Sequence, residues 1–179
     1  MKTENKKNNI IAISGKQFSG KDTVAEMLLK LLPDFKRIGI GDAIKIEYSR
    51  LTGLSLEEIE KNKPLYRPDL ITLGDEGRAI DTFYWMKKIV EQDGNIIVPD
   101  MRLKKELEIF KDNGAITIRV NSSRECRSQR GILVKEDDLT ETDLDDVSGW
   151  DYIIQNDSGL DELTVSARAI ADDIKQKFA

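Results

Sequence analysis

Short apolar runs alternating with stretches of helical spacing set the pattern of this chain. Asn9-Ile10-Ile11-Ala12-Ile13-Ser14 is continuously apolar instead of alternating, which predicts a strand buried on both faces of a parallel sheet. After a glycine-rich stretch, Val24, Met27, Leu28 and Leu31 recur at helical spacing, and Pro33 ends that helix. Phe35 to Ile40 reads as a second strand. From Asp42 to roughly Gln92 the spacing is helical. Pro64 and Pro68 punctuate it, and Gly53, Gly74 and Gly77 mark breaks or close contacts. Asn95-Ile96-Ile97-Val98-Pro99-Asp100 is a third strand. Leu103, Leu107 and Phe110 then form a helical stripe closed by Asn113-Gly114. Ala115 to Val120 gives a fourth strand, Arg124 to Arg130 a short basic helix, and Tyr152-Ile153-Ile154 a fifth strand. Ser158 with Asp161 fits a capping box for a last helix striped by Leu163, Ala167, Ile170 and Ile174. The acidic segment from Lys135 to Asp146 reads as a mobile loop. Strands alternating with helices imply an α/β fold whose sheet is largely parallel, and ligands in such folds sit at the carboxyl ends of strands.

Composition narrows the chemistry. The chain has 179 residues, 39% hydrophobic and 34% charged, with a formal net charge of -5. That balance fits one globular domain spanning 1–179 and argues against nucleic-acid or membrane-surface partners. The apolar run Ile10 to Ile13 is too short for an export or membrane segment, and the polar start before it reads as a frayed terminus. Cys126 is the single cysteine, so no intrachain disulfide can form and a reducing, cytoplasmic setting is expected. There is no histidine, which removes Ser-His-Asp and Cys-His catalysis.

Gly15-Lys16-Gln17-Phe18-Ser19-Gly20-Lys21-Asp22-Thr23 has the frame G-x-x-x-x-G-K between a predicted strand and a predicted helix. Gly15 and Gly20 let the backbone curl so that N–H groups converge on an anion, and the following helix aims its positive end at the same point. Ser19 lies within the cradle. Lys21 supplies a mobile charge for the outer phosphates. The position after the lysine, usually Ser or Thr holding Mg²⁺, carries Asp22, so Asp22 or the next residue Thr23 is the metal-side group. The guanine motif Asn-Lys-x-Asp of GTPases is absent, and the size suits a small-molecule kinase. Phosphoryl transfer needs alignment and charge neutralisation more than covalent help. Arg124, Arg127 and Arg130 recur on one side of a short helix, Arg78 follows Gly77, and Arg102 follows the strand end at Asp100. Asp100 is either a functional carboxylate or the N-cap of the helix containing Leu103. Trp85 and Trp150 read as packing residues.

The segment from Ser14 to Thr23 resembles the loops of phage-type deoxynucleoside monophosphate kinases and of animal-type phosphomevalonate kinases, which share the aspartate at the position of Asp22. The resemblance continues through Asp42-Ala43-Ile44-Lys45, Arg67-Pro68-Asp69-Leu70, Leu73-Gly74-Asp75-Glu76-Gly77-Arg78, Val98-Pro99-Asp100-Met101-Arg102, Arg127-Ser128-Gln129-Arg130-Gly131, Thr140 to Asp146 and Trp150 to Asn156. It implies a three-layer P-loop NTPase fold of the nucleoside-monophosphate-kinase type. Such a fold has a five-stranded parallel sheet flanked by helices, a helical acceptor-binding insert over 42–92 and a short lid over 121–146. It implies ATP and Mg²⁺, and transfer onto a small acceptor that already carries phosphate. By position, Lys21 stabilises the transferring group, Arg127 and Arg130 are lid arginines, Lys45, Arg78, Asp100 and Arg102 face the acceptor, and Asn156 lines the adenine end. The segments around Leu73 to Arg78, Asp81 to Trp85 and Asp100 to Glu106 favour a nucleoside monophosphate as acceptor. Arg127 to Gly131 favours phosphomevalonate, the alternative. A non-catalytic nucleotide-binding regulator is the third reading.

Overall fold

The parallel sheet expected from the apolar runs is present. The computed structural model describes residues 9–178, and the polar segment before residue 9 lies outside them. Strands β1 (Ile10–Ser14), β2 (Phe35–Arg37), β3 (Asn95–Met101), β4 (Ile116–Asn121) and β5 (Tyr152–Gln155) form one sheet in the order β2-β3-β1-β4-β5. Every pairing is parallel. β1 is central and all five of its residues are buried, which is why its sequence is continuously apolar. Ser14 pairs in register with Met101 on one side and Arg119 on the other. The chain therefore leaves β1 between the carboxyl ends of β3 and β4, the crevice in which open α/β sheets bind ligands.

Helices α1 (Lys21–Leu31) and α9 (Leu160–Phe178) bury their stripes against the sheet. Ile11, Ile13, Ile118, Val120 and Ile154 meet Val24, Leu28, Leu163, Ile170 and Ile174 in one apolar cluster. Helix α6 (Lys104–Asp112) lies against β1 and β4, with Leu107 and Phe110 buried. Short helices α7 (Arg124–Arg130) and α8 (Leu139–Thr142) follow β4. Among the described residues no helix is long and apolar enough to cross a membrane.

Residues 38–92 form a separate compact unit. It consists of α2 (Ile40–Thr52), α3 (Leu56–Lys61), α4 (Lys63–Ile80) and α5 (Tyr84–Val90). The second strand is shorter than its apolar pattern predicts. Ile40 opens α2, and the Asp42 carboxylate accepts the Gly39 N–H at 2.9 Å, so helix capping wins over strand extension. Pro64 sits in the first turn of α4, where its missing donor costs nothing. Pro68 lies inside α4 and does not end it. Gly74 and Gly77 are also inside α4, as contact residues instead of breaks. A Cβ on Gly77 would come within 2.7 Å of the Trp85 ring, and Trp85 Nε1 donates to the Gly74 carbonyl at 2.9 Å. Trp85, 1% exposed, is the packing residue expected.

Two local expectations change. α9 begins at Leu160, and the Gly159 carbonyl accepts from the Leu163 N–H, so Gly159 and not Ser158 precedes its first turn. The acidic segment from Lys135 to Asp146 is folded down, not loose. It contains α8, and Glu141 and Leu144 are buried.

Candidate active site

The glycine loop closes on itself tightly enough to explain its composition. A Cβ on Gly15 would lie 2.3 Å from Ser19 Oγ and 2.7 Å from the Val120 carbonyl oxygen, so no larger residue fits. The Ser19 N–H donates to the Lys16 carbonyl at 3.1 Å, making the first curl. Gly20 then takes φ 95°, a left-handed conformation that glycine enters without strain, and α1 starts at the next residue. Phe18 also has a left-handed φ, 58°, which is uncommon for a residue with a side chain. Its ring lies over Gly131, where a Cβ would approach within 2.2 Å, so a side chain at 131 would displace the ring.

Asn156 stands behind the loop. It is 6% exposed, and its side-chain amide donates to the Ser19 carbonyl at 2.8 Å. The same amide nitrogen would lie 2.3 Å from a Cβ on Gly20. Ser19 Oγ is buried with no hydrogen-bond partner among the described residues.

The loop opens onto a cleft of about 470 Å³ lined by Gly20, Lys21, Asp22, Thr23, Arg102 and Arg130 among others. Three cations thus face one space at the amino end of a helix, where first-turn N–H groups lack intrahelical acceptors. Lys21 is 7% exposed and its Nζ lies 2.6 Å from Asp22 Oδ2. The Asp22 carboxylate is 65% exposed. Among the described residues no cluster of three or more acidic, Cys or His side chains could cage a metal. An exposed carboxylate with a neighbouring hydroxyl fits Mg²⁺, which takes one or two protein oxygens and fills its shell with phosphate and water.

The three arginines of α7 divide their work. Arg130 Nη1 donates to the Phe18 carbonyl at 3.2 Å, and Nη2 to the Asn156 carbonyl at 2.8 Å. Arg127 is buried; its Nη1 donates to the Gln17 carbonyl at 3.4 Å and its Nη2 to Glu136 at 3.3 Å. It lines a second recess, of about 280 Å³, with Lys16, Arg119, Asp145 and Trp150. Arg124 is exposed and also reaches Glu136, at 2.9 Å. The Arg124 bond, with Arg127 beside it, holds the Glu136 carboxyl below the usual carboxylate range.

On the β3 side, Arg102 Nη1 donates to Glu141 Oε1 at 2.6 Å. Asp100 is the penultimate residue of β3 and is not the N-cap of α6, which is Leu103. The Glu106 side chain caps the helix start, accepting the N–H groups of Arg102 and Leu103 at 2.7 and 3.1 Å. Lys45 and Arg78 lie in the helical unit. Lys45 is held between Asp42 and Glu60 at 2.9 and 2.8 Å. Burial pulls the Lys45 ammonium down, but its bonds to Glu60 and Asp42 outweigh this and leave it raised. Arg78 is half-exposed and pairs with Asp75 at 2.9 Å.

Three residues to which the sequence analysis gives no individual role bond to the loop or to cations beside it: Arg119, Glu141 and Asp145. Arg119 is 8% exposed, donates to Ser14 Oγ at 2.9 Å and to Asp145 at 3.2 Å, and lies 5.8 Å from the Trp150 ring centroid. Asp145 also pairs with Lys16 at 2.6 Å. Two signals could have flagged this group: a lone arginine inside the apolar run Ile116 to Val120, and the place of Glu141 and Asp145 in the segment Thr140 to Asp146 that carries the resemblance.

Comparison with known proteins accords with this geometry. The sequence model of the family described as phosphomevalonate kinase matches residues 13–115, and that of deoxynucleotide monophosphate kinase matches residues 71–166. A phosphomevalonate kinase of Drosophila melanogaster is 35% identical over 171 residues, spanning 86% of this chain and 90% of that protein. The chain belongs to the phosphomevalonate kinase and deoxynucleotide monophosphate kinase group of P-loop kinases. It is accordingly a P-loop small-molecule kinase. The shikimate kinase of Aquifex aeolicus shares the group's fold, with a TM-score of 0.52 at 19% identity over 94% of this chain and 97% of its own. That of Bacteroides thetaiotaomicron does so at 0.53 and 12% identity over 94% and 98%. At such identities these likenesses speak for the fold alone.

Proposed function

We propose that this kinase transfers the γ-phosphoryl group of ATP, with Mg²⁺, to the phosphate of a small phosphorylated acceptor. The observation that carries the reading is the convergence of Lys21, Arg102 and Arg130 on the cleft at the glycine loop. An acceptor phosphate oxygen attacks the γ-phosphorus, the bond to the β–γ bridging oxygen breaks, and ADP leaves while the acceptor monophosphate gains one phosphoryl group and becomes a diphosphate. Such a nucleophile needs no base, because a phosphate monoester with a second pKa of about 6 is already largely a dianion at neutral pH. That suits a chain without histidine. The task left to the protein is to overcome repulsion between two anions and to align them.

The loop N–H groups and the first turn of α1 would receive the donor's outer phosphates, and Lys21 would meet the group in transfer. Arg130 closes the donor side, and its bonds to the Phe18 and Asn156 carbonyls orient it. Arg127 braces the loop from behind through the Gln17 carbonyl. Asn156 acts on the adenine end through the loop it supports. Asp22 and Thr23 would hold Mg²⁺, which when bound would neutralise charge on the donor phosphates. Arg102, Asp100, Lys45 and Arg78 serve the acceptor.

Two acceptors stand level. Phosphomevalonate is supported by the insect relative, whose likeness runs through most of both chains. A deoxynucleoside monophosphate is supported by the second family match, which covers the Arg78, Arg102 and lid positions. Coupled ADP release is measured with ATP, Mg²⁺, phosphomevalonate and a panel of nucleoside and deoxynucleoside monophosphates. One acceptor class should stimulate release at least tenfold over the acceptor-free rate. If none does, the proposal fails.

A further inference from the structure

A buried carboxylate with both oxygens engaged joins the glycine loop to Arg102. The Glu141 side chain, on α8, is 3% exposed. Its Oε2 accepts the Gln17 main-chain N–H at 2.8 Å, and its Oε1 accepts Arg102 Nη1 at 2.6 Å. One charge-assisted bond on each oxygen fixes the carboxylate's position and its rotation. Gln17 is itself clamped, since its side-chain amide donates to the Val134 carbonyl at 2.7 Å and accepts the Val134 N–H at 3.2 Å. A buried carboxylate is costly unless paired and hydrogen-bonded, so this arrangement is satisfied only with Arg102 and the loop in these places.

Of the other cations behind the loop, Lys16 and Arg119 pair directly with Asp145, and Glu141 acts on Arg119 through charge without a hydrogen bond to it. A packing role alone would call for an acceptor for one backbone N–H. It would not explain a charge aimed at an arginine of the cleft. Arg102 has five N–H donors, of which Glu141 takes one, and the side chain lines the same cleft as Lys21.

We propose that Glu141 is a positioning residue that couples Arg102 to the phosphate loop. It orients the guanidinium relative to Lys21 so that the acceptor phosphate met by Arg102 is aligned with the group in transfer met by Lys21. The inference rests on the kinase reading above and adds to it a residue that touches neither substrate.

The test is a double-mutant cycle of Glu141→Gln and Arg102→Ala, with an acceptor that the wild type turns over. Steady-state kinetics, calorimetric affinity for a non-hydrolysable ATP analogue and melting temperature are read together. Glu141→Gln should lower kcat by about 10- to 100-fold, as a misplaced catalytic group does, with ATP-analogue affinity within about threefold of wild type. In the Arg102→Ala background the same change should cost less than about twofold, because its target is already gone. Additive losses overturn the coupling, as does a wild-type kcat in Glu141→Gln or a fall in stability and analogue affinity without a fall in kcat. If Glu141→Gln does not fold, Glu141→Asp takes its place in the cycle. It keeps the charge but shortens the reach, and the same pattern of partial loss, absent without Arg102, is expected. A wild type that releases no ADP with any acceptor fails the kinase reading. A working wild type beside an unimpaired Glu141 variant fails the coupling alone.

Discussion

At the scale of single residues, the site separates groups that face the cleft from groups that hold those in place. Lys21 is of the first kind. Lys21→Ala should reduce turnover at least about a hundredfold while leaving the fold intact, since the proposed mechanism uses its charge on the transferring group and the Asp22 beside it is mostly exposed. A variant with wild-type turnover in the ADP-release assay would refute the mechanism. Asn156 is of the second kind. Asn156→Ala removes a buried donor from the Ser19 carbonyl and should cost about 1–2 kcal/mol of stability, with a raised KM for ATP. Chemical denaturation alongside ATP titration checks both, and an unchanged KM would separate Asn156 from the loop's function. The motif letters were legible because a phosphate loop is a local device, built from consecutive backbone amides. Glu141 was not legible. Its partners Gln17 and Arg102 lie far away in sequence, and its own neighbours form an acidic run that resembles any solvated surface.

At the scale of elements, two helices test whether burial or local chemistry decides. α4 carries Gly77 in its interior, where helix propensity alone favours alanine by about 1 kcal/mol. The Trp85 ring, fully buried and tied to Gly74, leaves no room for a Cβ. Overpacking should win, and Gly77→Ala should lower stability by about 1–3 kcal/mol, read as a drop in melting temperature. α6 supplies a pH dependence. Burial pushes Glu106 up, against the pull of the Arg102 and Leu103 N–H groups, and leaves its carboxyl above the usual range. A raised folded value means that the native state favours the protonated form. The contribution of Glu106 is thus fully present below the unfolded value of about 4.3 and is lost as pH rises through the folded one. Melting temperatures of wild type and Glu106→Gln between about pH 4 and pH 7 should show the wild type losing ground to the variant with rising pH. A constant difference would mean that desolvation of this carboxyl is not felt. Asp100 was the cap candidate in the sequence, and Glu106 holds that role in the structure by accepting the Arg102 and Leu103 N–H groups.

At the scale of the whole molecule, ligand binding should register as stability. A nucleotide at a hundred times its dissociation constant stabilises the folded state by about 2.7 kcal/mol. For a chain of this size, each kcal/mol moves the melting temperature by roughly 2–4 °C. Melting with Mg²⁺ and an ATP analogue should therefore rise by several degrees in the wild type and by much less in Lys21→Ala. An equal shift in both would place the nucleotide elsewhere. The sequence by itself determined the parallel sheet, the phosphate loop with its flanking strand and helix, and the basic helix from Arg124 to Arg130. Each of these is written in contiguous residues, through apolar runs, glycine spacing and helical period. The tertiary structure alone decided which arginine faces the cleft and which braces the loop, that Phe18 rests on Gly131, and that an acidic stretch folds inward to place Glu141 between Gln17 and Arg102. The physical reason is that a buried charge acquires its role from partners brought near by the folded chain, and neither composition nor period carries that information.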